Sequence, residues 1–338
     1  MEKRLIIHSN SFWLVVSSIL VGSLSFALVF LFPQETALKT VLVAFLSFVW
    51  ISGVFIFSKI GIMVRYEQFI HKNKADFVKL SFLSAILPFF LISIIGETLT
   101  TSTIAIFLTW YILPITLMII GLSISPSNPN RSIFIIISAL LLWIGFDHRH
   151  TMVLFDGYQD LSYNLTTLWV LQLLFIIYAP FNQKDPNKVN SKPTISGIKY
   201  SFLMIPLLLV VIFPIGLASG FLYWNVDTTT EPWMKALVFI AIYLTIALPE
   251  EFIFRGVVLN ELDKKFKDPH TKRYTLLFVS FIFGLSHWNN TSPEYVWYYI
   301  LFATCAGIAY GYVWRKSGLF GAAFLHAAVD WVWQFYLQ

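Results

Sequence analysis

Apolar residues in this chain come in long unbroken runs, and polar residues gather in the short intervals between them. The runs lie near 12–32, 40–58, 79–96, 102–124, 132–146, 164–181, 200–224, 234–255, 274–288, 295–314 and 319–336. Most are as long as a helix needs to be to cross the ~30 Å hydrocarbon core of a bilayer; the fifth and ninth are short. A transmembrane β-barrel would show alternating segments of about ten residues instead. The pattern therefore predicts an all-α fold, a polytopic membrane helical bundle of about eleven transmembrane helices. The first run follows Lys3 and Arg4, as in a signal peptide, but its length and the spans behind it favour a retained first span.

Composition agrees with this reading. Of 338 residues 57% are hydrophobic and only 12% charged, about half the charge of an ordinary soluble domain. With the N-terminus cytoplasmic, all of the 23 basic residues except Lys39, Arg149 and Lys235 fall on inside loops or inside span ends, which follows the positive-inside rule. The net charge of +5 thus fits membrane topology rather than nucleic-acid binding. The one cysteine, Cys305, lies in an apolar run and excludes an intrachain disulfide.

The loop 182–193 (NQKDPNKVNSKP) is the most polar stretch and the natural boundary between an N-terminal region, 1–181, and a C-terminal region, 194–338. About six spans precede it and about five follow. No repeat relates the two regions, so the inverted repeats of many secondary transporters find no support. The loop 147–160 clusters His148, His150, Asp147, Asp156 and Asp160, but short loops of this composition are more often solvated than metal-bound.

Candidate chemistry concentrates in the last four runs. Pro249-Glu250-Glu251 and Arg255 end an apolar run, and a charge at membrane depth costs about 2.5–3.5 kcal/mol even on translocon scales. Glu251 and Arg255 are four apart with the acid first, the favourable order for an ion pair on one helix face. Glu250 points about 100° away, toward neighbouring helices. Pro249 cannot donate to the carbonyl of Thr245, so a kink or restart is expected just before the pair. His287 closes the ninth run, with Phe283 one turn earlier as packing and Gly284 allowing close approach of another helix. His326 and Asp330 share a face of the last run among Gly321, Ala322, Ala323, Ala327 and Ala328. His287 lies deeper from the cytoplasmic ends than Glu250 or His326, so a tilted or displaced ninth helix is needed to join them.

These residues resemble a known family. EEFIFR matches EExxxR, FGLSH matches FxxxH and HAAVD matches HxxxN/D of the CAAX protease and bacteriocin-processing (CPBP, or Abi) intramembrane proteases. The resemblance covers about residues 197–338 and implies a helical membrane core around a hydrophilic chamber. It implies that Glu250 activates water and that His287 positions it. By the same resemblance His326 and Asp330 stabilise the oxyanion or bind metal, and Glu251 and Arg255 shape the site. Members that process CAAX proteins carry Asn where this chain has Asp330, and an ionised Asp cannot donate to an oxyanion.

The expected function is an intramembrane endopeptidase, of glutamate or metalloprotease type, acting on a membrane-associated protein or peptide, lipidated or precursor. It would work in the lipid bilayer of a bacterial plasma membrane. The cofactor is either none or Zn²⁺, held by His287, His326 and Asp330, with Glu250 as a further ligand. The rivals are a non-catalytic scaffold or immunity protein of the same fold and a proton-coupled transporter.

Overall fold

The computed structural model describes residues 37–57, 60–148, 150–151, 153–154, 161–182, 186–189 and 194–337. The expected span 12–32 lies outside them, as do Arg149, Asp156 and Asp160. Among the described residues the architecture is helical without strands, and every predicted run there carries a helix. Among the described residues seven helices are long and apolar enough to cross a membrane, so the chain is an integral membrane protein. The last helix, Leu319–Tyr336, is not among the seven, because His326, Asp330 and Gln334 dilute its apolar content.

The chain divides between Pro186 and Asn187 into two compact units. The first holds α1 (Ala37–Phe57), α2 (Ile60–Lys72), α3 (Lys74–Ile95), α4 (Thr101–Ser123), α5 (Asn130–Asp147) and α6 (Ser162–Ile177). Helix α2 was not anticipated; it occupies what the apolar pattern gave as a loop. α6 is mostly apolar all round, with Thr166, Thr167 and Gln172 as exceptions, and is buried at every position from Leu165 onward, as a helix enclosed by neighbours must be. Trp169 is its anchor. The indole packs on Tyr111 at 4.2 Å, Trp50 at 6.1 Å and Phe107 at 6.2 Å, and its Nε1 donates to the Ser84 carbonyl at 3.2 Å. The histidines of the 147–160 loop are ring-packed: His150 lies flat on Trp110 at 5.0 Å, and His148 meets Trp143 edge-on.

The second unit holds α7 (Ile195–Ala218), α8 (Pro232–Lys265), α9 (Pro269–Leu285), α10 (Val296–Ser317) and α11 (Leu319–Tyr336). The run 200–224 outlasts its helix: from Ser219 the chain leaves α7 and folds back along the end of α11. There Asn225 and Asp227 donate backbone N–H groups to the Tyr336 and Phe335 carbonyls. Asp227 then accepts from Thr229 and Thr230, and those hydrogen bonds hold its carboxyl well below the usual range. α10 and α11 are joined by Gly318 alone, at φ 87°, a left-handed turn that suits a residue without a Cβ. α7 and α11 touch at Gly197 and Gly321, where a Cβ on Gly321 would stand 3.0 Å from the Gly197 Cα, and Ser201 locks the crossing with a 2.9 Å hydrogen bond to the Gly321 carbonyl.

Helix α8 differs most from expectation. The run 234–255 puts Arg255 at a helix end, yet the helix continues to Lys265 and Arg255 lies in its interior. Pro249 does disturb it, but by widening rather than by restarting. Tyr243–Ala247 and Phe252–Leu259 are π-helical, flanking a short α-helical turn at Leu248–Glu251. Wide turns of this kind absorb the donor that proline lacks and recur at functional sites. The far end of α8 is tied down by Arg315, whose guanidinium donates to both carboxylate oxygens of Asp263, at 3.0 and 2.7 Å, and to the Lys272 carbonyl at 2.6 Å.

Candidate active site

Glu251 and Arg255 form the base of the site. Both side chains are 0% exposed, and one guanidinium nitrogen donates to Glu251 Oε1 at 2.7 Å. The widened turns do not break the four-residue pairing read from the sequence. A second guanidinium nitrogen donates to the Gly307 carbonyl of α10 at 3.0 Å, and a Cβ at Gly307 would press on that same nitrogen at 3.0 Å. The cation also lies over the Phe283 ring at 4.3 Å and near Tyr310 at 5.5 Å. A buried charge survives only when paired and hydrogen-bonded, and Arg255 obtains its partners from α8, α9 and α10.

His326 stands on this base. Its Nδ1 lies 3.0 Å from Glu251 Oε1, the same oxygen that receives Arg255. A carboxylate engaged by arginine can only accept, which assigns the Nδ1 proton to His326. The other ring nitrogen, Nε2, then faces two carboxylates: Asp330 at 3.4 Å and Glu250 at 4.0 Å. Glu250 is buried and Asp330 is 34% exposed, so the cluster runs from a closed interior to an open side. Two adjacent glutamates thus serve opposite nitrogens of one imidazole.

His287 comes to this group by a different route. α9 ends at Leu285, so His287 lies on the turn beyond the helix rather than within it. Its Nδ1 is 2.8 Å from the Phe283 carbonyl, which can only accept, so that nitrogen carries the proton and Nε2 is left as an acceptor. Phe283 bridges the two histidines, its ring edge-on to His287 at 4.8 Å and to His326 at 5.7 Å. The turn past Leu285 answers the depth problem: the imidazole folds back on Phe283 instead of continuing along the helix axis. Gly284 makes the close approach expected of it, facing Thr304 and the Ile300 carbonyl of α10.

The structure therefore gathers Glu250, Glu251, Arg255, His326 and Asp330 by direct contact, and His287 through Phe283. Two residues escaped the sequence reading. Phe283, taken there as packing, touches Arg255 and both histidines. Tyr310 lies flat against His326 at 4.7 Å and 16°. Its one signal was a tyrosine on the small-residue face of Ala303 and Gly307, a face that Tyr299 shares.

The zinc alternative fares poorly on donor geometry. Among the described residues no group of three or more His, Cys, Asp and Glu side chains is disposed to hold a metal ion. His326 Nε2 faces Asp330 and Glu250, but His287 reaches this cluster only through the Phe283 ring, so the three expected ligands are not drawn together. The residues do not fit the ion, and no step is derived through one.

An integral membrane helical bundle that buries a Glu–Arg pair under a His–Asp pair defines the class. Within it, residues 231–332 match the family model of Rce1-like proteins, described as type II CAAX prenyl endopeptidase Rce1-like. The matched segment contains all three motifs and agrees with the family that they resemble. No curated protein and no solved structure matches the chain.

Proposed function

We propose that this protein is an intramembrane endopeptidase in which Glu250 activates the attacking water. The observation that carries this reading is the shared imidazole, with Glu251 on Nδ1 of His326 and Glu250 and Asp330 around Nε2. Glu250 takes a proton from water, and the resulting hydroxide attacks the scissile carbonyl carbon. In its doubly protonated form His326 donates from Nε2 to the developing oxyanion, and Asp330 beside it balances the charge. This gives Asp330 a role that does not require it to donate. His287 accepts a hydrogen bond from the water through Nε2 and so orients it. As the tetrahedral intermediate collapses, Glu250 returns its proton to the departing amine nitrogen. Glu251 and Arg255 stay paired and hold His326.

The proposed substrate is a membrane-associated protein or peptide, lipidated or precursor, and the family description supports a prenylated cysteine near its C-terminus. About eleven spans, a cytoplasmic N-terminus, a catalytic core at 194–338 and a bacterial plasma membrane complete the proposal. The scaffold and transporter alternatives are disfavoured by the full set of acid, base and brace residues at one imidazole. The test compares the membrane proteome and released peptides of cells carrying wild type or Glu250→Gln. At least one cleavage product should vanish in the variant; if every product persists, the protease reading fails.

A further inference from the structure

Resting on the hydrolytic reading above, we infer that Tyr310 is a positioning residue that sets the plane of the His326 imidazole through its ring face. A hydrogen bond at Nδ1 alone leaves an imidazole free to swing about that bond. In this site the swing decides function, because Nε2 must stay between Asp330 at 3.4 Å and Glu250 at 4.0 Å. The Tyr310 ring removes that freedom. Its centroid is 4.7 Å from that of His326 with the planes 16° apart, and Phe283 closes the other direction at 5.7 Å and 90°. Tyr310 is buried and the π-face it offers is electron-rich, which suits the doubly protonated imidazole that donates to the oxyanion.

The same ring lies 5.5 Å from the Arg255 guanidinium, and its helix supplies the Gly307 carbonyl to that cation one turn earlier. One face of α10 therefore steadies both groups that grip Glu251 Oε1. A residue there for bulk alone could be exchanged for leucine. A residue there for its flat face could be exchanged only for another aromatic ring.

The test uses the full-length protein in lipid vesicles with a farnesylated, fluorescence-quenched CAAX-type peptide. Tyr310→Leu should lower kcat on the order of tenfold with KM unchanged, and Tyr310→Phe should restore kcat to within about twofold of wild type. Tyr310→Phe retains the ring and tests the idea even if Tyr310→Leu does not fold. A tenfold loss in Tyr310→Phe, or a wild-type kcat in Tyr310→Leu, overturns it. Glu250→Gln runs alongside: full activity there sinks the protease reading, whereas an inactive Glu250→Gln with an unaffected Tyr310→Leu sinks only the role of Tyr310. If the wild type leaves this peptide uncut, the histidine spectrum decides. In ¹⁵N-histidine-labelled protein, with His326→Gln assigning the signal, the Nε2 proton of His326 held by Asp330 should persist in Tyr310→Phe and disappear in Tyr310→Leu. Persistence in both, or loss in both, overturns the inference.

Discussion

Each unit of this protein is organised around one buried helix, and the two are buried for opposite reasons. α6 is enclosed because it is uncharged and mostly apolar around its surface, with Trp169 held among Trp50, Phe107 and Tyr111. α8 is enclosed from Ile242 to Glu261 although it carries Glu250, Glu251 and Arg255 there, since each charge finds a partner on another turn or another helix. Apolar burial is a sum of many small contacts that neighbours supply without orientation. Burial of charge depends on a few directed bonds and fails sharply when one is removed. The first kind of helix is a scaffold; the second stores electrostatics for use.

The largest test of this contrast is at Arg255. Arg255→Met leaves Glu251 charged in a sealed interior and should cost ~3–5 kcal/mol, read as a lower thermal midpoint in detergent. Adding Glu251→Leu should recover part of that loss, because the orphaned charge then disappears. Trp169→Ala should cost a comparable ~3–5 kcal/mol by leaving a cavity, but no second deletion among Trp50 or Tyr111 should recover it. If the tryptophan double variant is rescued and the arginine one is not, the contrast is wrong.

Two glycines give smaller effects that separate rigid from yielding surroundings. A Cβ at Gly284 meets Thr304 Oγ1 and also the Ile300 carbonyl, which is backbone and cannot swing away. Gly284→Ala should cost ~1–3 kcal/mol by overpacking α9 against α10. A Cβ at Gly53 meets only the amide end of Gln172, a flexible side chain, so Gly53→Ala should stay below ~1 kcal/mol. Paired thermal melts of the two variants would show whether that ranking holds.

The smallest effect belongs to Asp268, which caps α9 by accepting from the Thr271 backbone N–H at 2.8 Å. That bond holds its carboxyl below the ordinary range. The cap therefore contributes above the usual carboxylate pKa and is lost as pH falls through the lowered one. Asp268→Ala should lower the thermal midpoint slightly at neutral pH and not at all in strong acid; an equal shift at both pH values would contradict the cap.

Much of this was readable from residue order, and the limits are physical. The helices follow from apolar runs because hydrophobic length is a local property. The Glu251–Arg255 pair was readable for the same reason, since both residues sit on one helix four positions apart. The extent of α8 was not. A charge usually marks the end of a span, and only the partners on α9 and α10 let Arg255 lie inside one. His287 was expected at the end of the ninth run and lies two residues past the helix, on a turn where its Nδ1 meets the Phe283 carbonyl, a detail that apolar length does not specify. The histidines of the 147–160 loop read as solvated, and His150 is exposed; each also rests on a tryptophan of α4 or α5, which the loop's composition could not show.

The chain by itself determined that Glu250 and Glu251 would do different things, because a helix turns about 100° per residue and only Glu251 can reach Arg255. It also determined the ligand types available to the site and their order along the chain. Only the tertiary structure decided that the two carboxylates would meet opposite nitrogens of His326, that Asp330 would share Nε2 with Glu250, and that Phe283 and Tyr310 would frame the imidazole. Those outcomes depend on how four helices cross, and crossing is set by where Gly284, Gly307 and their neighbours let backbones approach, which no single helix encodes.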